Sequence, residues 1–324
     1  MAKRSHTNSI VWLKLLRLPN VFTAAADVMM GYLVTHGDLQ PPMHFALLAV
    51  ASCLLYLSGM VLNDVFDAEA DARDRPERPI PSGRIPLRSA AAVGWAMLGS
   101  GVLAAWFVSY WASDWRPGVV GTLLGSSVVL YDAVLKRTPL APVAMGACRT
   151  LNVLLGMSLA GGGILVAEAA SPKIIGPSRP WQAAEWLIAA AVGVYVAGVT
   201  IFSRTDAVRS SRVQLTVGLV VVLFGIALLA AAPALTDNDP PLVVGRTGWY
   251  LLWGALGLIT ARRCVLAINE PTPPRVQAAV RHGVQSIIVL DAAVCIGYVG
   301  PIWGLAVFAL IFPTLLLAAW LKAT

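Results

Sequence analysis

Charge is what this sequence has least of. Only 13% of its 324 residues are charged, about half the share found in a soluble domain. With 57% of residues hydrophobic, an ordinary soluble globule is excluded. Cysteine is scarce too. Cys53, Cys148, Cys264 and Cys295 all lie in apolar stretches and none forms a C-x-x-C pair. They read as small core residues, not as a disulfide frame or a thiolate metal site. The four histidines are scattered. No stretch alternates with period two, which excludes a membrane β-barrel.

What is present is a series of apolar runs of about 20 residues, the length of a membrane span. Spans are expected at roughly 12–35, 44–66, 88–109, 117–135, 141–163, 183–203, 213–233, 247–268 and 275–299. A further run, 302–321, follows Pro301 after almost no loop and reads as a tenth helix, with a re-entrant hairpin as the alternative. The fold class is therefore all-α, a polytopic membrane helical bundle in one domain spanning 1–324. Lys14, Arg17 and Pro19 interrupt the first run, so no cleaved signal peptide is expected.

The net charge of +7 does not indicate nucleic acid, because the basic residues flank apolar spans. With the N-terminus in the cytoplasm and the spans alternating, 19 of the 24 Lys and Arg fall inside and 4 outside, with Arg149 within a span. That asymmetry follows the positive-inside rule. It places the most polar stretch of the chain on the cytoplasmic side.

That stretch is Asn63-Asp64-Val65-Phe66-Asp67-Ala68-Glu69-Ala70-Asp71, followed by a proline-broken loop with Arg73, Arg75, Arg78 and Arg84. On an unbroken helix Asn63, Asp67 and Asp71 fall at i, i+4 and i+8, so one face offers several oxygens to a divalent cation. Magnesium is held by one or two carboxylates plus substrate phosphates, and arginines can hold the phosphates. The plainer reading is a solvated acidic helix end balanced by basic residues.

A weak internal repeat accompanies the motif. Setting Tyr56 on Tyr195 places Asp67 on Asp206, Asp64 on Ser203, Asp71 on Ser210 and Arg73 on Arg212. Both stretches end spans that face the same side, as in a parallel repeat. The halves would be 10–135 and 141–268, followed by C-terminal helices over 275–322. The second copy keeps one carboxylate of three.

The run Asn63–Ile85, NDVFDAEADARDRPERPIPSGRI, resembles the first aspartate motif of the UbiA family of intramembrane prenyltransferases. Arg17 and Asn20 on the first span and Leu135-Lys136-Arg137 after the fourth add to the likeness. The resemblance implies a nine-helix core in two pseudo-repeated halves, with the last run as an addition. It also implies Mg²⁺-dependent transfer of a polyprenyl group from its diphosphate to a lipophilic or aromatic acceptor, in the bilayer and without nucleic acid. Asn63, Asp64, Asp67 and Asp71 would help bind Mg²⁺, and Arg78, Lys136 and Arg137 the diphosphate. Asp67 and Asp206 are the catalytic candidates, Asp206 as base or second-metal ligand. The run Phe202-Ser203-Arg204-Thr205-Asp206 resembles the divergent EboC-like branch. That likeness implies the alternative of a protein that binds or exports a secondary-metabolite precursor without prenyl transfer.

Other polar residues fall inside spans, where they are costly and usually functional. Arg149 and Asn152 are expected at the diphosphate, with a carboxylate such as Asp132 as the alternative partner of Arg149. Arg17 and Asn20 are expected on the acceptor side. Asp27 and Asp291 have no motif around them.

Overall fold

Prolines set many of the helix starts. Pro42, Pro117, Pro142, Pro273 and Pro301 each sit in the first turn, where a missing N–H leaves no hydrogen bond unmade. The computed structural model describes residues 10–160, 179–204, 211–236 and 242–323, and among them every regular element is helical. The order is α1 (Val21–His36), α2 (Pro42–Phe66), α3 (Ala68–Asp74), α4 (Leu87–Ala112), α5 (Arg116–Ala133) and α6 (Ala141–Gly156). It continues with α7 (Ala183–Ser203), α8 (Arg212–Ala231), α9 (Gly245–Asn269), α10 (Pro273–Tyr298), α11 (Pro301–Phe308) and α12 (Ile311–Ala323).

Among the described residues, seven segments are long and apolar enough to cross a membrane: α2, α4, α8 with its 3₁₀ extension, α7, α9, α10 and the run Pro301–Leu321. Three expected spans do not meet that measure. α1 and α6 have 16 residues each, and α5 begins at Arg116 and carries Asp132. α1 and α6 thus fall short in length, and Arg116 and Asp132 lower the apolarity of α5; the three carry the buried polar groups Asp27, Arg149 and Asp132. The first expected span, 12–35, is broken at Arg17, whose φ is 47°, and Pro19 then opens a short 3₁₀ turn. Large apolar side chains face outward, among them Leu103, Leu251, Leu258 and Leu316. An apolar surface of that extent is a lipid-facing one, and the chain is an integral membrane protein.

The final apolar run is neither a straight helix nor a hairpin that turns back. It bends at Ala309–Leu310: α11 packs on α10, and α12 packs on α1 and the 3₁₀ turn Leu18–Asn20. Gly304 sits against Ile296, and further on Thr314, Ala318 and Leu321 share a groove with Val276 and Val280. The run thus returns to the rim from which α10 starts.

α2 packs most extensively on α4 and α7 on α8, while α1 lies between α6 and α10. The α1–α6 contact is close because two glycines face backbone. A Cβ added to Gly31 would lie 2.6 Å from the Val153 carbonyl oxygen, and one on Gly156 would collide with the Val28 carbonyl. Small residues at such crossings let membrane helices approach. Gly31→Leu is expected to lower the apparent melting temperature of the detergent-purified protein by about 2–8 °C, since overpacking costs about 1–3 kcal/mol. Gly99→Leu, where an added Cβ meets nothing within 4 Å, should leave it unchanged. Equal melting of the two variants would refute a close α1–α6 crossing.

Candidate functional site

The last turn of α2 carries Asn63 and Asp64, and its helical geometry ends at Asp67 (φ −91°, ψ −1°). Carbonyls at a helix C-terminus gather partial negative charge and need donors. The 3₁₀ turn Leu135–Arg137 after α5 supplies them. Lys136 Nζ lies 3.4 Å from the Asn63 carbonyl oxygen, and Arg137 Nη2 lies 3.5 Å from that of Phe66. The same two cations clasp the Asp67 carboxylate at 2.8 and 3.2 Å.

Asp64 and Asp71 form a separate group. Arg78 Nη1 bridges them, 2.6 Å from Asp71 Oδ2 and 3.5 Å from Asp64 Oδ1. Arg17 adds a second guanidinium 3.1 Å from Asp64 Oδ1. Its left-handed backbone is a conformation that persists where the surroundings hold it, and the ion pair is such a hold. The four motif groups therefore do not share one continuous face. The break at Asp67 directs that residue toward Lys136 and Arg137, and leaves Asp64 and Asp71 on the side of Arg17 and Arg78.

The donor chemistry fits a hard divalent cation. Asp64 and Asp71 already share one positively charged nitrogen between them, which shows that their oxygens converge on a single cation position. No group of three or more His, Cys, Asp or Glu among the described residues could hold a metal by itself.

A cavity of about 330 Å³ runs inward from Asn63 and Asp132 at the rim to Arg149 and Asn152. At the rim end, Asn63 Nδ2 donates to Asp132 Oδ1 at 2.8 Å. At the inner end, Arg149 Nη1 lies 2.8 Å from Asp27 Oδ2 and Nη2 lies 2.9 Å from Thr23 Oγ1. Asn152 Nδ2 donates to Asp27 Oδ2 at 2.9 Å, and its Oδ1 accepts from Ser52 Oγ at 2.7 Å. The Arg149 guanidinium also lies over the Tyr56 ring, 5.3 Å from its centroid, a cation–π contact.

The carboxylate partner of Arg149 is thus Asp27, while Asp132 pairs with Asn63. Asp291 lies beside Asp27 between α1 and α10. Asn20 lines the cavity near Arg17. Asp206 lies outside the described residues. The motif reading does not single out Asp132, Tyr56, Thr23 or Ser52 as site residues. For Asp132 a signal exists: it stands four residues before Lys136, one helical turn from a cation at the same rim.

Comparison with known proteins follows the same geometry. The model of the UbiA prenyltransferase family matches residues 24–269. Digeranylgeranylglyceryl phosphate synthase from Metallosphaera sedula is 32% identical over 127 residues, 39% of this chain and 43% of that protein. The enzyme of the same name from Methanoculleus marisnigri is 33% identical over 151 residues, 46% of this chain and 52% of that protein. The chain spans about half the length of the curated relatives it matches. A solved UbiA homologue from Archaeoglobus fulgidus, bound to GPP and Mg²⁺, superposes with a TM-score of 0.58 at 13% identity, covering 92% of this chain and 99% of the other. That likeness shows a common fold.

The inner ion pair makes a direct prediction. Arg149→Met leaves Asp27 charged and buried without its partner, and is expected to destabilise the protein by about 3–5 kcal/mol. Adding Asp27→Asn should restore much of that loss in thermal unfolding. Two losses that simply add would mean that the residues are not coupled.

Proposed function

The chain belongs to the UbiA prenyltransferase family, and from that premise we propose that it transfers a polyprenyl group from its diphosphate to a lipophilic or aromatic acceptor. The transfer uses Mg²⁺ and takes place at the cytoplasmic rim of the membrane. One observation carries the proposal: carboxylates and cations are paired at the end of α2, with Arg78 on Asp64 and Asp71, and Lys136 and Arg137 on Asp67, next to Asn63 and Arg17, which line the cavity. Each cation sits on a carboxylate that it can exchange for a phosphate oxygen. The A. fulgidus homologue, which binds GPP and Mg²⁺ in the same fold, supports this reading.

In the reaction the bond between the allylic carbon and the diphosphate oxygen breaks, and the oxygen keeps the electron pair. An acceptor atom then bonds to that carbon and gives up its proton. When bound, Mg²⁺ supplies Lewis-acid stabilisation of the departing diphosphate. Asp64 and Asp71, whose oxygens converge on one cation position, are the residues that would hold it, with Asn63 and Asp67 at the same end of α2. Arg78, Lys136 and Arg137 present donors to the diphosphate oxygens, an electrostatic stabilisation of charge that develops as the bond breaks. Arg149 and Asn152, held by Asp27, are the inner members of that set. Arg17 and Asn20 face the acceptor. Asp206, aligned with Asp67 by the repeat, is assigned the acceptor's proton. The apolar helices keep water from the carbocation.

The two halves, 10–135 and 141–268, would enclose the cavity, with the 275–322 helices beside them. The distribution of Lys and Arg supports a cytoplasmic rim and N-terminus.

The test uses purified full-length protein, a panel of prenyl diphosphates and a panel of acceptors. Mg²⁺-dependent diphosphate release is expected. Asp64→Ala and Asp67→Ala should each lower it by roughly 100-fold or more, on the scale of removing one transition-state contact. Full release by either variant, or release that survives a chelator, would overturn the mechanism. Binding of prenyl diphosphate and metal without turnover over the whole panel would favour the precursor-binding alternative.

A further inference from the structure

Beside the inner end of the cavity lies a pair of carboxylates, Asp27 of α1 and Asp291 of α10. Both residues are completely buried. Asp27 stands one helical turn from Ala24 and Asp291 one turn from Ile287, and Ala24 and Ile287 line the cavity. The two side chains come within hydrogen-bond reach of each other.

Their oxygens are unequally served. Asp27 Oδ2 accepts from Arg149 Nη1 at 2.8 Å and from Asn152 Nδ2 at 2.9 Å. Asp27 Oδ1 and both carboxylate oxygens of Asp291 have no hydrogen-bond partner among the described residues. The charged groups that act on Asp291 are Asp27 from α1 and Arg149 from α6, and Arg149 is already paired with Asp27. Tyr56 of α2 faces the same ion pair, and the Cys295 thiol stands one turn along α10 from Asp291.

Two ionised carboxylates against one guanidinium would leave a negative charge uncompensated in an apolar interior, at a large cost in free energy. Buried acceptors that face each other without a donor add to that cost. One proton removes both difficulties. It leaves Asp27 as the charge partner of Arg149, and it makes Asp291 a donor. Carboxyl groups that share one site do not both ionise; one of them keeps its proton. A metal ion matches the pair less well. It would need several more oxygen ligands, and no group of three or more His, Cys, Asp or Glu among the described residues could hold one.

We propose that Asp27 and Asp291 form an intramembrane proton-binding site, in which Asp291 carries the proton and donates it to Asp27 Oδ1. Asp291 is thereby a positioning residue. It acts through Asp27, whose other oxygen holds Arg149 and Asn152 at the inner end of the chamber. The link also joins α10, which lies beyond the residues that match the family model, to α1. It does not depend on the transfer reaction.

The test is infrared spectroscopy of the full-length protein in nanodiscs at neutral pH, read against Asp291→Asn. The difference between the two spectra is expected to contain the carbonyl stretch of a protonated carboxyl group, shifted in deuterium oxide. Asparagine at 291 still offers an N–H to Asp27, so this variant should keep the melting temperature. Asp291→Leu removes the donor and should lower it by about 2–6 °C. A difference spectrum without the carboxyl band would overturn the proton assignment. Equal melting of the Asn and Leu variants would overturn the hydrogen bond to Asp27. A melting temperature that rises when sodium or potassium chloride replaces choline chloride, but not in Asp291→Asn, would give the site to a metal cation instead.

Discussion

The position of the acidic motif depends on the clasp of Lys136 and Arg137 around Asp67. The two cations join the C-terminal end of α2 to the turn after α5, and they do so twice. They hold the carboxylate, and they also reach the last carbonyls of α2. Helix-end carbonyls left bare at a membrane border would be costly. Meeting them with cations that also hold a carboxylate fixes where the helix stops. The side chains of Asp64 and Asp71 are thereby left to Arg17 and Arg78, on the other side of the same rim.

Deeper in the bilayer a second polar layer does a related job. Asp27, Arg149, Asn152, Thr23 and Ser52 link α1, α6 and α2. Each buried polar group needs a partner, because water is not there to provide one. The glycine-mediated approach of α1 to α6 brings Arg149 within reach of Asp27. Backbone packing and ion pairing are therefore one constraint: widening the crossing would strand the charges. The polar layer lies at the inner end of the cavity, so the groups that stabilise the crossing also shape the chamber.

The helical membrane class and most spans can be read from apolar run lengths, and the rim is marked by NDxxDxxxD and the basic loop after it. What escapes a linear reading depends on partners distant in sequence. The spacing of Asn63, Asp67 and Asp71 suggests one helical face, but the cations that break that face at Asp67 stand some 70 residues away. Arg149 announces that a partner must exist without saying which. Asp27, 122 residues earlier, is chosen by the α1–α6 crossing and not by any local pattern. Likewise, the length of 302–321 allows either a span or a hairpin. The bend at 309–310 and the contacts with α10 come from packing that local composition does not encode.

The unequal halves have a coherent electrostatic meaning. In the sequence alignment of the repeat, Ser203 stands where the first copy has Asp64, and Arg204 stands where it has Val65. In that alignment the first copy carries three carboxylates, and the second keeps Asp206 beside a hydroxyl and a guanidinium. Two symmetric acidic ends would suit one diphosphate flanked by several metal ions. The C-terminal helices add to the basic side, because α10 contributes Arg281 beside Arg204 and α12 contributes apolar wall below it.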